Sequence, residues 1–231
     1  MARKKRKKGF VIAMDGPAGV GKSAVGHLIA RKLGYGFLNT GEMYRALTWK
    51  ALERGLQPED GPSVVALAQK LKWEFRTTAD GTLKTYVDGE DVGAHIRDER
   101  VSANSSVVAA HAGVRRLMCR LQRRLGKDGG VVMEGRDITT HVFPDAEFKV
   151  YLDASVEERA DRRYRQLKAA GKPADRQKIK EGILKRDLND LQRKINPLSR
   201  AADAMAIDST KLTLRQVANK ILRAVKNASS A

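Results

Sequence analysis

The segment Gly16-Pro17-Ala18-Gly19-Val20-Gly21-Lys22-Ser23 follows directly on the apolar run Phe10-Val11-Ile12-Ala13-Met14. A glycine, four residues and then Gly-Lys-Ser, set between a strand and a helix, requires a tight turn whose backbone N–H groups point at phosphate oxygens. Gly16, Gly19 and Gly21 let the backbone curl. Lys22 supplies a point charge for the terminal phosphates, and Ser23, at the start of the next helix, can set its hydroxyl on a magnesium ion. That helix adds the positive end of its dipole. It is expected because Ala24 to Leu33 carries apolar residues at helical spacing. Nucleotide-phosphate contacts are therefore assigned to Gly16 through Ala24.

Further apolar runs at Val131–Met133, Phe148–Leu152 and Ala204–Ile207 read as buried parallel strands, with helical patterns between them. Ser155 with Glu158, and Thr213 with Gln216, have capping-box spacing and start two of those helices. Strands alternating with helices predict a three-layer α/β phosphate-loop NTPase fold around a central parallel sheet. From about Leu56 to Ile96 the rhythm breaks. Lys72–Arg76 and Leu83–Val87 alternate apolar and polar residues around Asp80-Gly81, and Glu90-Asp91-Val92 follows, so a small antiparallel β insert is expected. The pattern fits an insert that moves with a substrate-binding lobe and equally a passive decoration. The division expected is a basic arm at 1–8, one domain at 9–227 and a tail at 228–231. Within the domain, a monophosphate-binding lobe with the insert covers about 40–115 and a helical lid about 159–185.

The chain has 231 residues, and 45 Lys and Arg against 27 Asp and Glu leave a net charge of +18, which favours polyanionic partners. Arg3-Lys4-Lys5-Arg6-Lys7-Lys8 is a basic arm able to touch nucleic acid, although no sequence feature requires it to. Cys119 is the single cysteine, which excludes an intramolecular disulfide and a cysteine zinc site. The first apolar stretch is too short for a signal peptide or a membrane span. A soluble, cytoplasmic monomer is expected.

Beyond the loop, Leu38 to Arg45 offers the Thr40 hydroxyl, the Tyr44 ring and the Arg45 guanidinium within a few positions, a set suited to a phosphorylated acceptor. The same residues also read as a helix cap with Tyr44 packed in the core. Glu134-Gly135-Arg136-Asp137 follows a strand, so its charges emerge at the carboxyl end of the sheet, where open α/β sheets bind ligands. Arg159, Arg162 and Arg163 share one helix, and Arg186, Asp187, Asp190 and Arg193 are spaced to share another. Both flank the polar connection Lys168–Asp175, placing arginines beside a mobile lid. The Arg115–Lys127 stretch reads in the main as a solvated face.

In this order the motifs closely resemble those of the bacterial cytidylate kinases. The likeness runs from about Gly9 to Val225 through Asp15–Ser23, Thr40-Gly41, Tyr44-Arg45, Gly135-Arg136-Asp137, Val142–Ala146, Tyr151–Ser155, Glu157–Ala160, Arg186-Asp187, Pro197-Leu198, Ala201–Ala204 and Asp208–Thr210. The resemblance implies that Thr40, Tyr44, Arg45, Ser106 (or Ser105), Arg115, Arg136, Asp137, Arg186, Asp190 and Arg193 line a CMP or dCMP site. It implies that Arg159 and Arg163 sit by the triphosphate of ATP, with Lys22, Arg136, Arg159 and Arg186 carrying the catalysis, while the placing of Ser23 to bind Mg2+ comes from the loop pattern itself. Ser23 stands where relatives often have glycine, and Glu134 where some have aspartate. The reaction implied is phosphoryl transfer from ATP to CMP or dCMP, giving ADP and the diphosphate. The loop alone would equally serve a kinase of adenylate, dephospho-coenzyme A or shikimate, or a nucleic-acid-binding NTPase.

Overall fold

In chain order the elements are β1 (Val11–Asp15), α1 (Lys22–Leu33), β2 (Gly36–Asn39), α2 (Thr40–Glu53), α3 (Gly61–Lys70), β3 (Trp73–Thr77), β4 (Leu83–Val87) and β5 (Glu90–Asp91). There follow α4 (Glu99–Ala110), α5 (Ala112–Gly126), β6 (Val131–Glu134), β7 (Phe148–Asp153), α6 (Val156–Ala169), α7 (Arg176–Gln192), β8 (Met205–Asp208) and α8 (Leu214–Ser230). This computed structural model describes residues 9–230, so the basic arm Arg3–Lys8 lies outside the described residues.

A five-stranded sheet in the order β2-β6-β1-β7-β8 is parallel throughout. Its strands are apolar on both faces because helices cover both. Ile12, Met14, Val132 and Leu152 pack with Val25 and Ile29 of α1 and Val217 and Ile221 of α8. Ala13, Leu38 and Met133 belong to the second core, with Met43 and Leu47 of α2 and Met118 of α5. Parallel strands all end on the same edge, so the loops after β1, β2 and β6 converge there.

Two details differ from the sequence-based expectation. The first strand runs to Asp15 rather than ending at Met14, which carries a buried carboxylate into the sheet. The edge strand β2 is an addition, since only Phe37 and Leu38 are apolar between Gly36 and Asn39. The Thr213–Gln216 capping box forms reciprocally, with Thr213 N donating to Gln216 Oε1 (2.8 Å) and Gln216 N to Thr213 Oγ1 (3.3 Å). Ser155 Oγ likewise accepts from Glu158 N (3.3 Å).

The insert is a three-stranded antiparallel sheet, β3-β4-β5, with Trp73 opposite Val87 and Phe75 opposite Thr85. It is bonded on two sides. At its turn, Gly81 O accepts from Phe37 N (3.0 Å) and Thr82 Oγ1 lies 3.2 Å from His27 Nδ1, tying the hairpin to β2 and α1. At its other end, His95 stacks on Trp49 at 4.1 Å and Glu90 pairs with Lys50 at 3.1 Å, tying it to α2.

Leu38 is fully buried although its strand is short, so the edge strand is held mainly by this side chain. Leu38→Ala should lower unfolding stability by about 2–5 kcal/mol, read from the urea midpoint. A loss below about 1 kcal/mol would show that β2 is held by its backbone alone.

Candidate phosphoryl-transfer site

The loop after β1 adopts the backbone its glycines permit. Gly16, Gly19 and Gly21 have φ of 146°, 81° and 96°, and a Cβ on Gly16 would lie 2.0 Å from Leu152 O. Lys22, the first residue of α1, is buried, and its Nζ donates to Gly16 O (2.8 Å) and Pro17 O (2.7 Å). Burial, reinforced by the positive charge of Arg136, pushes its pKa down to about 7.

The loop is clasped from α6. Arg159 donates from Nη1 to Ala18 O (3.0 Å) and from Nε to Ala154 O (3.0 Å). Arg162 donates to Val20 O (3.1 Å) and to Ser209 O (2.6 Å). With these carbonyls occupied by guanidinium groups, the peptide units of the loop are fixed. Asp187 of α7 pairs with Arg159, and its second oxygen accepts from Ala18 N (3.2 Å). Arg163 is exposed and bonds Gln166 (2.9 Å), so Arg159 and Arg163 do not come together.

Ser23 Oγ donates to Glu134 Oε1 at 2.6 Å, and Glu134 Oε2 is buried without a partner. A hydroxyl beside an unfilled carboxylate oxygen fits a hard cation that takes its remaining ligands from phosphates and water. Among the described residues no group of three or more His, Cys, Asp or Glu could hold a metal unaided.

On the other side of the hollow, charges alternate. Arg115 pairs with Asp137, Asp137 lies 3.7 Å from Arg193, Arg193 lies 3.5 Å from Asp190, and Asp190 bonds Arg136 at 2.8 Å. Arg115 Nε and Arg193 Nη2 are buried with no hydrogen-bond partner. The Tyr44 ring lies 5.6 Å from the Arg115 guanidinium, and burial raises its hydroxyl to about 12, so it stays protonated. Arg193 lies one residue beyond α7 and donates to Asn196 O at 2.6 Å. Thr40 is held otherwise, since its hydroxyl donates to Glu134 O (2.7 Å) and joins α2 to β6. Ser105 is satisfied within its own helix by Ser102 O (3.1 Å), whereas Ser106 meets Asn189 of α7 (3.5 Å).

Between the two sides lie more cations than acids. Arg186 is depressed to about 10 by burial and by Arg136, with a smaller like-charge contribution from Arg45. Arg45 is lowered as well, again mainly by burial. Glu42, raised by burial, faces Arg45 and Glu134, although in the sequence it reads only as an ordinary first-turn acid.

Asp15 is a further site residue that the sequence pattern does not single out. It is fully buried and accepts from Ile138 N (2.9 Å), Thr139 N (2.7 Å) and Thr139 Oγ1 (2.6 Å). Those donors open the π-helical turn Ile138–Val142 directly after Arg136-Asp137. Asp15 therefore fixes where that pair emerges, despite burial raising its pKa to about 6. In the sequence it shows as a charge at the end of an otherwise apolar strand and as the first residue of the Asp15–Ser23 motif.

The chain resembles known proteins along most of its length. A family profile described as cytidylate kinase matches residues 12–227. The cytidylate kinase of Bacillus pumilus is 48% identical over 218 residues, covering 94% of this chain and 96% of that protein. That of Bacillus subtilis is 44% identical over 222 residues, covering 96% and 99%. Among solved structures, an uncharacterised protein from Eubacterium ventriosum shares the fold at 10% identity, with a TM-score of 0.51 over 95% of this chain and 99% of that one.

Two outcomes are expected. Asp15→Asn leaves a donor of the turn unsatisfied, so the KM of the acceptor nucleotide should rise roughly tenfold or more while that of the donor moves less than about threefold. Equal changes in both would show that Asp15 does not act through the turn. Lys22, near pKa 7 in the free protein, regains its proton beside a bound phosphate. At about pH 8, ATP binding should therefore take up a fraction of a proton, and affinity should fall as pH rises above 7. Calorimetry in buffers of different ionisation enthalpy reads this, and uptake that persists in Lys22→Met would assign the proton elsewhere.

Proposed function

The chain belongs to the cytidylate kinase family, and we propose from that membership how its charged hollow moves a phosphoryl group from ATP to CMP or dCMP. It is a phosphotransferase. The single observation that carries the site reading is the alternating network Arg115–Asp137–Arg193–Asp190–Arg136, with two unfilled buried donors, set against the cationic loop.

On the donor side, the backbone of Gly16 to Ala24, through every N–H but that which Pro17 lacks, and the Lys22 ammonium hold the phosphates of ATP, with Arg159 and Arg163 on the helix beside them. Ser23 and Glu134 are the residues that would hold Mg2+, which when bound neutralises charge on the donor phosphates. On the acceptor side, Arg45, Arg136 and Arg186 take the monophosphate, since Asp190 at Arg136 and Glu42 near Arg45 offset only part of their combined charge. Thr40 positions this wall, and Tyr44 and Ser106 border the nucleoside.

Cytosine presents a ring carbonyl and an exocyclic amine side by side. Arg115 and Arg193 offer donors to the carbonyl, and Asp137, with Asp190 behind it, offers an acceptor to the amine. The acceptor oxygen is already a phosphate anion near neutral pH, so no strong general base is needed. Catalysis is then positioning plus neutralisation of the charge that develops between the two phosphates. Closure of the 159–185 lid over the hollow would keep water from the phosphoryl group. Among the described residues no helix is long and apolar enough to cross a membrane, and a single buried thiol suits a reducing cytoplasm.

The test is transfer of radiolabelled phosphate from ATP to a panel of CMP, dCMP, UMP, AMP, shikimate and dephospho-coenzyme A. The cytidine nucleotides should dominate. Asp137→Ala should lower catalytic efficiency with CMP by roughly tenfold to 100-fold and narrow the margin over UMP. Unchanged CMP efficiency in a variant that melts like its parent would remove Asp137 from recognition.

A further inference from the structure

Asp187 of α7 and Arg159 of α6 close a ring on one peptide unit of the phosphate loop. Asp187 Oδ1 accepts from Ala18 N (3.2 Å), Asp187 Oδ2 pairs with Arg159 Nη1, and Arg159 Nη1 donates to Ala18 O (3.0 Å). All three residues are buried. Glu134, the other acid at the loop, takes the Ser23 hydroxyl (2.6 Å), so Asp187 is the acid that holds a loop amide.

Bracing the loop accounts for only part of this arrangement. Arg159 already fixes the peptide unit through Ala18 O and is itself anchored by Nε at Ala154 O (3.0 Å). The orientation of Ala18 therefore does not need the second bond. That bond is also a long one. Asp15, a buried acid that likewise accepts from amides, does so at 2.9 and 2.7 Å, whereas the Ala18 contact at 3.2 Å lies at the far end of the hydrogen-bond range. Asp187 is held by Arg159 more firmly than by the amide.

The Ala18 amide belongs to the backbone assigned to the phosphates of ATP, and a proton given to Asp187 is unavailable to a phosphate oxygen. A carboxylate at this buried position also repels an incoming phosphate with little screening by solvent. Its pairing with Arg159 offsets the guanidinium charge on the helix that flanks the donor loop. We propose that Asp187 is a positioning residue of the donor half, which competes with donor phosphates for the Ala18 N–H and, on yielding it, turns part of the Arg159 charge toward them. The inference rests on the assignment of ATP to this loop.

The test measures ATP binding by calorimetry on the full chain with no acceptor present. Asp187→Asn removes the charge and keeps an oxygen for the amide, whereas Asp187→Ala removes both. D187N should bind ATP roughly threefold tighter than the parent and D187A roughly tenfold or more tighter, both with CMP affinity within about threefold of the parent's. A second measurement needs only the conservative variant. With alanine labelled at its amide nitrogen, the Ala18 signal, identified by its loss in Ala18→Gly, should differ between parent and D187N without ATP and converge once ATP is bound.

Weaker or unchanged ATP binding by D187N makes Asp187 a brace or a bystander and overturns the proposal. So does equal tightening in D187N and D187A, which assigns the effect to charge alone, or an Ala18 difference that persists at full size with ATP bound. Because no acceptor takes part, these outcomes do not depend on which nucleotide receives the phosphate. Failure of the parent to bind ATP overturns the donor assignment itself, and the inference with it.

Discussion

Holding several cations together in a buried hollow, with too few acids to neutralise them, is the constraint around which this protein is built. Burial, reinforced by the nearby charge of Arg136, lowers the affinity of Lys22, Arg45 and Arg186 for protons. Like charges in a medium of reduced dielectric repel strongly, so the cluster persists only because the chain around it is fixed. Asp190 holds Arg136, Glu42 lies near Arg45, and the loop carbonyls hold Lys22. Under the proposed function, the phosphates of the donor and of the acceptor would offset the remaining imbalance.

Rigidity comes from side chains bonded to the backbone of the site. Arg159 and Arg162 hold the carbonyls of Ala18 and Val20, and Asp15 holds the amides of Ile138 and Thr139. Each joins two segments far apart in sequence, so the donor loop, the Arg136-Asp137 turn and α6 form one connected frame. Each also leaves a buried donor or acceptor unsatisfied if removed, which is costlier than loss of a surface contact. The insert has a comparable place at the sheet's edge, bonded to β2 and α1 at its turn and to α2 at its base.

Motifs that depend on local backbone are legible in the sequence alone. The Gly16–Ser23 loop, both capping boxes and the Asp80-Gly81 hairpin follow from glycine freedom, side-chain caps and period-two alternation, all carried within a few residues. Long-range pairings are not legible in this way. Nothing near Asp15 says that its partners lie at 138 and 139, and nothing near Asp187 points to the Ala18 amide. Strand β2 escapes because an edge strand needs only Phe37 and Leu38, too few for a period to show. Arg159 and Arg162 read as arginines beside a lid, and nothing near them in sequence points to the carbonyls of Ala18 and Val20.

Parts of the protein itself bond the loop. Asp187 presents a carboxylate to the Ala18 amide, and Lys22 folds onto the carbonyls of Gly16 and Pro17. A phosphate entering here competes with both, because an N–H or ammonium proton given to one acceptor is unavailable to another. Asp187 belongs to α7, and Asp190, one turn further along, holds Arg136 on the acceptor side. A displacement of Asp187 by donor phosphates acts on the same helix that positions the acceptor arginines. Through α7 the carboxylate on the Ala18 amide and the carboxylate on Arg136 are carried by one helix.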